Sequence, residues 1–139
     1  MIIADTGFFI AVLNTKDQYH ESVKNFLKNS RELLITTWPV FTEACHIILK
    51  RAGVFPMTQF VSQITRGSCQ LYSISQSDQL RLPKLLAKYR NLPMDLADAS
   101  LILLAEHLGH GRILTTDQRD FGTYRWKERK PFQNLLKSE

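Results

Sequence analysis

Four acids occupy positions from which chemistry is expected: Asp5, Glu43, Asp98 and Asp117. Asp5 closes the apolar run MIIA, and Asp117 closes RILTT in the same way. Glu43 falls in the first turns of a helical pattern after LLITT, and Asp98 in the first turn of the pattern that precedes RILTT. Two carboxylates about 4 Å apart repel by roughly 4 kcal/mol at an effective dielectric near 20. A shared site would therefore need protons or cations. Oxygen donors of this kind suit Mg²⁺ or Mn²⁺, and a magnesium ion held by a few carboxylates, water and phosphate oxygens is an arrangement for hydrolysing a phosphodiester.

Each acid also has a simpler reading. Asp5 can cap the helix that begins at Gly7. Asp95 and Asp98 form D-x-x-D before an apolar run, a capping box with Asp95 as N-cap, and Asp98 alone would favour a helix dipole. Asp117 and Asp120 suit a turn in TTDQRDF. Glu43 resists such a reading, because it shares a helix face with Val40 and Ile47 and an acid facing the core needs a partner. Weight comes from the conjunction, since unrelated caps rarely gather at one edge.

The elements that would gather them follow from periodicity. MIIA, Leu33 to Thr37, Gln70 to Ile74 and RILTTD read as strands, the first as a buried parallel strand. Helices are expected over GFFIAVLN, Gln18 to Asn29, Pro39 to Arg51, Pro56 to Thr65, Asp78 to Arg90 with Pro83 near its start or kinking it, and MDLADASLILLAEHLG. Gly109 or Gly111 stops the last of these. An edge strand is expected near Lys130 to Gln133. Strands alternating with helices predict an α/β domain with a mainly parallel central sheet. In such a sheet the strand ends and the starts of the returning helices share the carboxyl edge, where ligands bind.

At 139 residues, 44% hydrophobic and 22% charged, the chain fits one soluble domain over 1–139 that needs no disulfide or structural metal. Cys45 and Cys69 lack zinc spacing and read as reduced, buried thiols. His20, His46, His107 and His110 also lack zinc spacing, and HLGH reads as cap and turn chemistry. The N-terminus has no basic leader and no apolar run spans a membrane, so a cytoplasmic location is expected. A net charge of +5 favours an anionic partner. Arg112, Arg119, Arg125, Lys127, Arg129 and Lys130, with Tyr124 and Trp126 interleaved, read either as a phosphate-tracking and base-stacking surface or as a solvated basic face.

The order DTGFFIA, T-E in a helix after the second strand, DLADASLILLAEHLG and TTDQRDF resembles PIN domains, and in detail the VapC-type toxins of bacterial toxin–antitoxin modules. The resemblance spans nearly the whole chain. It implies a three-layer α/β/α fold and a Mg²⁺- or Mn²⁺-dependent endoribonuclease that cuts RNA with metal-activated water, often as a homodimer, restrained by an antitoxin protein. It implies that Asp5, Glu43 and Asp98 are the regular acids and Asp117 the more variable fourth, catalytic and metal-holding. Asp95, Asp120, Thr6 and Thr115 or Thr116 match accessory positions. Arg119, Arg125 and Lys127 are candidate RNA contacts, and the helices Gln18 to Asn29 and Pro56 to Thr65 candidate dimer surfaces. A haloacid-dehalogenase-like phosphatase would want an acid where Gly7 stands, and a receiver domain is not matched. The remaining alternative is a non-catalytic RNA-binding or regulatory protein on the same scaffold, which the loss of an acid would have favoured; none is lost.

Overall fold

Ile2, Ile3 and Ala4 are buried on both faces, as in a strand at the middle of a parallel sheet. The computed structural model describes residues 1–136. In it this strand, β1 (Ile2–Ala4), lies between β2 (Leu34–Thr37) and β4 (Arg112–Leu114), with β3 (Gln70–Tyr72) beyond β2. An antiparallel ribbon of β5 (Arg125–Trp126) and β6 (Lys130–Pro131) precedes β7 (Gln133–Asn134), which pairs in parallel with β4. The main sheet is thus wholly parallel, in the order β3-β2-β1-β4-β7.

α1 (Thr6–Leu13) and α2 (His20–Asn29) lead from β1 to β2, and α3 (Trp38–Ala52) and α4 (Val54–Gln63) from β2 towards β3. Both connections step the same way along the sheet, so right-handed crossovers place these four helices on one face. α5 (Gln76–Gln79), α6 (Leu82–Lys88) and α7 (Leu96–Leu108) return from β3 to β4 across the sheet and cover the other face. The three-layer expectation holds. The direction of stepping reverses between β1 and β4, and that switch point is where open α/β sheets leave a crevice.

α7 is apolar almost all round, with Ala97 and Ala99 through Ala105 buried, so it must be covered on every side. It contacts β2, α3, α6 and β5. It ends at Gly109, whose φ of 78° is the left-handed cap that glycine accepts without strain. The start of α7 is tied to the end of β2. The Thr37 hydroxyl donates to Ser100 Oγ at 2.6 Å, and Ser100 donates to the Ala97 carbonyl at 2.6 Å. Thr37 also accepts the Val40 amide at the start of α3. This buried pair sets the starts of both acid-bearing helices against the same strand.

Several boundaries differ from the expectations. The helix expected over Asp78 to Arg90 is two helices, because Pro83 in the first turn of α6 offers no amide for a continuous ladder. α4 starts at Val54, with Pro56 inside its first turn, and β3 stops at Tyr72. The edge strand near Lys130 divides between the ribbon and the main sheet. Where a turn is expected in TTDQRDF, the chain forms a single helical turn, α8 (Gln118–Phe121), after β4. Cys69 is buried, Cys45 half-buried, and both are free thiols. No helix among the described residues is long and apolar enough to cross a membrane.

Candidate active site

The acids take up their cap roles and meet at the carboxyl edge as well. Asp5, only 6% exposed, caps α1 by accepting the Thr6 amide at 2.7 Å through Oδ1. Its Oδ2 accepts the hydroxyl of Thr115, just past β4, at 2.8 Å. Asp95 and Asp98 form the expected capping box, with Asp98 N donating to Asp95 Oδ1 at 2.8 Å and Asp95 N to Asp98 Oδ2 at 3.3 Å. Asp117 caps α8 by accepting the Asp120 amide at 3.0 Å. The same bonds that satisfy helix termini therefore hold the carboxylates in place.

Glycine at position 7 follows from this crowding. A Cβ there would collide with the Thr116 hydroxyl, so only glycine lets the loop after β4 lie against the start of α1.

The acids lie close enough for several of them to raise one another's pKa values. Burial pushes Asp5 up to about 6, with Glu43 and Asp117 adding repulsion and the Thr115 and Thr6 hydrogen bonds working against it. Asp98 is pushed up to about 8 by burial, then by Asp95 and Asp5. Glu43 is raised by burial and by Asp95, and Asp117 by burial with Asp120 contributing. The repulsion links Asp5 to Glu43, Asp98 and Asp117, while Asp95 acts on both Glu43 and Asp98 and Asp120 on Asp117.

Among the described residues, no three Asp, Glu, His or Cys side chains form a ready-made metal cage. The donor set still suits an ion that takes one or two carboxylates and retains water, as magnesium does. The Thr6 hydroxyl supports that fit. It eases the charge on Glu43 but makes no well-aligned hydrogen bond, and it is buried. A buried hydroxyl without a partner is costly, and the water around a hydrated cation would supply one.

A family model described as the PIN domain matches residues 2–127. The chain belongs to the PIN-domain family. Among curated relatives, Ribonuclease VapC26 of Mycobacterium tuberculosis (strain ATCC 25618 / H37Rv) is 23% identical to this PIN domain over 124 residues, covering 89% of this chain and 92% of that one. Among solved structures, Mycobacterium tuberculosis VapC20, described as a sarcin-ricin loop cleaving toxin, superposes with a TM-score of 0.78 at 15% identity. That match covers 86% of this chain and 92% of VapC20, and it shows the shared fold.

In this PIN domain the two aromatic residues that left a base-stacking surface open as one reading of the basic segment are turned away from solvent. Tyr124 is fully buried and Trp126 is 7% exposed, because the ribbon turns both inwards. Tyr124 packs edge-on against Tyr89 and Phe121 and directs its hydroxyl to Asp98 Oδ2 at 3.3 Å. Its pKa is driven upwards by burial and by Asp98 and Asp120, so it stays a proton donor. The basic residues also separate. Arg119 is largely exposed beside Asp120 at 3.2 Å. Arg125 folds its guanidinium back onto the carbonyls of Gly122, Thr123 and Tyr124. Lys127 places Nζ over the Trp126 ring. Arg112 starts β4 at the opposite edge and pairs with Glu32 at 2.9 Å.

Asn134 has no motif to announce it. Its side-chain amide accepts from Thr115 N at 3.2 Å and donates to Thr115 O at 3.0 Å. β7 thereby clamps the residue that clamps Asp5.

Proposed function

We propose that this PIN domain, over 1–139, is a divalent-metal-dependent endoribonuclease and the toxin of a type II toxin–antitoxin pair. The observation that carries the reading is the buried Asp5 at the sheet's switch point, in electrostatic contact with Glu43, Asp98 and Asp117. The ribonuclease named among its relatives supports it. Asp5, Asp98, Asp117 and Glu43 would hold Mg²⁺ or Mn²⁺, with Thr6, Thr115, Thr116, Asp95 and Asp120 as neighbours. A bound divalent ion supplies charge stabilisation at the phosphate and makes water a better nucleophile. The chain's part is to hold carboxylates at that point, to take or orient the proton of the attacking water on one of them, and to keep Asp98 hydrogen-bonded through Tyr124.

The partners in this reading are RNA, a small antitoxin protein and a second copy of the chain, in the cytoplasm. Arg119, exposed and next to Asp120, is the cation that would meet a phosphate near the site; Lys127, whose amide donates to Glu106 in the last turn of α7, lies towards the opposite edge. For the second copy, Leu13, Leu49, Val54 and Phe55 are 40 to 70% exposed on α1, α3 and α4. They are the surface most in need of cover.

The test is cleavage of single-stranded RNA by the full chain with Mn²⁺, its arrest by chelator, and its loss in Asp98→Asn with the fold retained. RNA left intact with Mn²⁺, or cut equally well in chelator, would sink the reading.

A further inference from the structure

Among the described residues, Trp38 is an exposed aromatic ring that shares a groove with two of the acids, Glu43 and Asp95. It opens α3 at the carboxyl edge of β2 and is 47% exposed. The ring meets the buried Phe41 edge-on, with centroids 5.6 Å apart at 62°. Thr42 and His46 follow it at four-residue intervals, so all three share one side of α3. Across from them is the start of α7, where Leu96 is 51% exposed. Between the two helices runs an open groove of about 660 Å³, whose lining includes Glu43 and Asp95 as well as Trp38, Thr42, His46 and Leu96.

We propose that this groove is a nucleobase subsite, in which Trp38 stacks on the base next to the scissile phosphate and Thr42 and His46 offer hydrogen bonds to its edge. The proposal rests on the nuclease reading and assigns a place to the substrate within it. Glu43 belongs both to the groove and to the acidic site, so a group bound here lies within one nucleotide of the reacting phosphate. A flat exposed ring, with Leu96 across from it and the polar groups of Thr42 and His46 along one side, suits a base, which has an apolar face and a hydrogen-bonding edge.

A second copy of the chain is the poorer occupant. Of the apolar residues that would bury a dimer contact, Leu49 lies about 16 Å along α3 from Trp38, and Val54 and Phe55 follow on α4. Interface centres are also depleted of charge, whereas this groove carries two carboxylates. Tyr124 and Trp126, buried, cannot supply the stacking surface in its place.

The test uses the full chain and a 12-residue single-stranded RNA, intact or with one abasic nucleotide at successive positions. With Mn²⁺, Trp38→Ala is expected to raise KM about tenfold, within the range that stacking on one base supplies, and Trp38→Phe less. Removing the base beside the cleaved bond should cost the wild type a similar factor and cost Trp38→Ala almost nothing. In chelator, RNA binding followed by anisotropy should quench tryptophan emission in the wild type, and not in Trp38→Phe, which keeps only the buried Trp126. A wild-type KM in Trp38→Ala, or an equal abasic penalty in both proteins, overturns the subsite and leaves the nuclease reading intact. So does a Trp38→Ala variant whose single defect is self-association, which would assign the groove to a protein contact. Failure of the wild type to cut any of these RNAs with Mn²⁺ would overturn both.

Discussion

The Thr115 hydroxyl donates to Asp5 Oδ2 at 2.8 Å and accepts the Asp117 amide at 3.0 Å. One side chain thus joins the ends of β1 and β4 across the switch point and orders two of the site's acids. Thr115→Val keeps the shape and removes both bonds. Because a hydrogen bond to a carboxylate contributes about 1.5–3 kcal/mol, unfolding in urea at pH 8 should show a loss of that order, smaller at pH 4 where Asp5 is protonated. The lost donor also raises Asp5 further, so the pH at which cleavage begins should move upwards. An unmoved pH onset would mean that Thr115 does not set the Asp5 charge.

Two carboxyls with raised pKa values make the metal-free protein pH-sensitive. Between the unfolded value near 4 and about 6, the folded state keeps a proton on Asp5 that the unfolded state has lost, and for Asp98 the window extends to about 8. Stability therefore falls as pH rises through these windows, and above them the cost is complete. For the buried Asp5 it is on the order of 3 kcal/mol. Metal-free Asp98→Asn should accordingly gain on the wild type at pH 9 and not at pH 4. Mn²⁺ must displace the same protons, so its rise in melting temperature should be largest above pH 8 and fade towards pH 6. At 100 times Kd it corresponds to about 2.7 kcal/mol. Scanning calorimetry at pH 5, 7 and 9 decides this, and a Mn²⁺ shift independent of pH would contradict it.

Gly7→Ala should damage the site through sterics alone. The new Cβ meets the Thr116 hydroxyl, and forced overpacking typically costs about 1–3 kcal/mol. Removing that oxygen should relieve it, so Gly7→Ala with Thr116→Ala should recover much of the stability that Gly7→Ala loses. Denaturant unfolding of the four proteins gives the coupling directly. Simple additivity would place the origin of the Gly7 requirement elsewhere.

The acids and most of the elements carrying them were legible in sequence because they are locally determined. MIIA-D and RILTT-D announce buried parallel strands by their apolar runs, and Asp95 with Asp98 announces a helix start by its spacing. Given right-handed crossovers, the topology then delivers the acids to one edge. Neither caps nor metal chemistry had to be chosen between, since Asp5, Asp98 and Asp117 do serve as caps where they meet.

What the tertiary structure decided concerns partners far apart in the chain and the facing of aromatic rings. Their place among basic residues leaves Tyr124 and Trp126 open as a stacking surface or as part of a solvated basic face, but the fold buries both rings and makes Tyr124 a donor to Asp98. Asn134 holds Thr115 across 19 residues and Thr115 holds Asp5 across 110, and no local pattern encodes a hydrogen bond at such separations. Trp38 shows the same division from the other side. Its place at a strand–helix junction is written in TTWP, whereas its exposure beside Glu43 depends on how α3 and α7 pack. Periodicity records which face of an element is apolar, and only packing determines what that face meets.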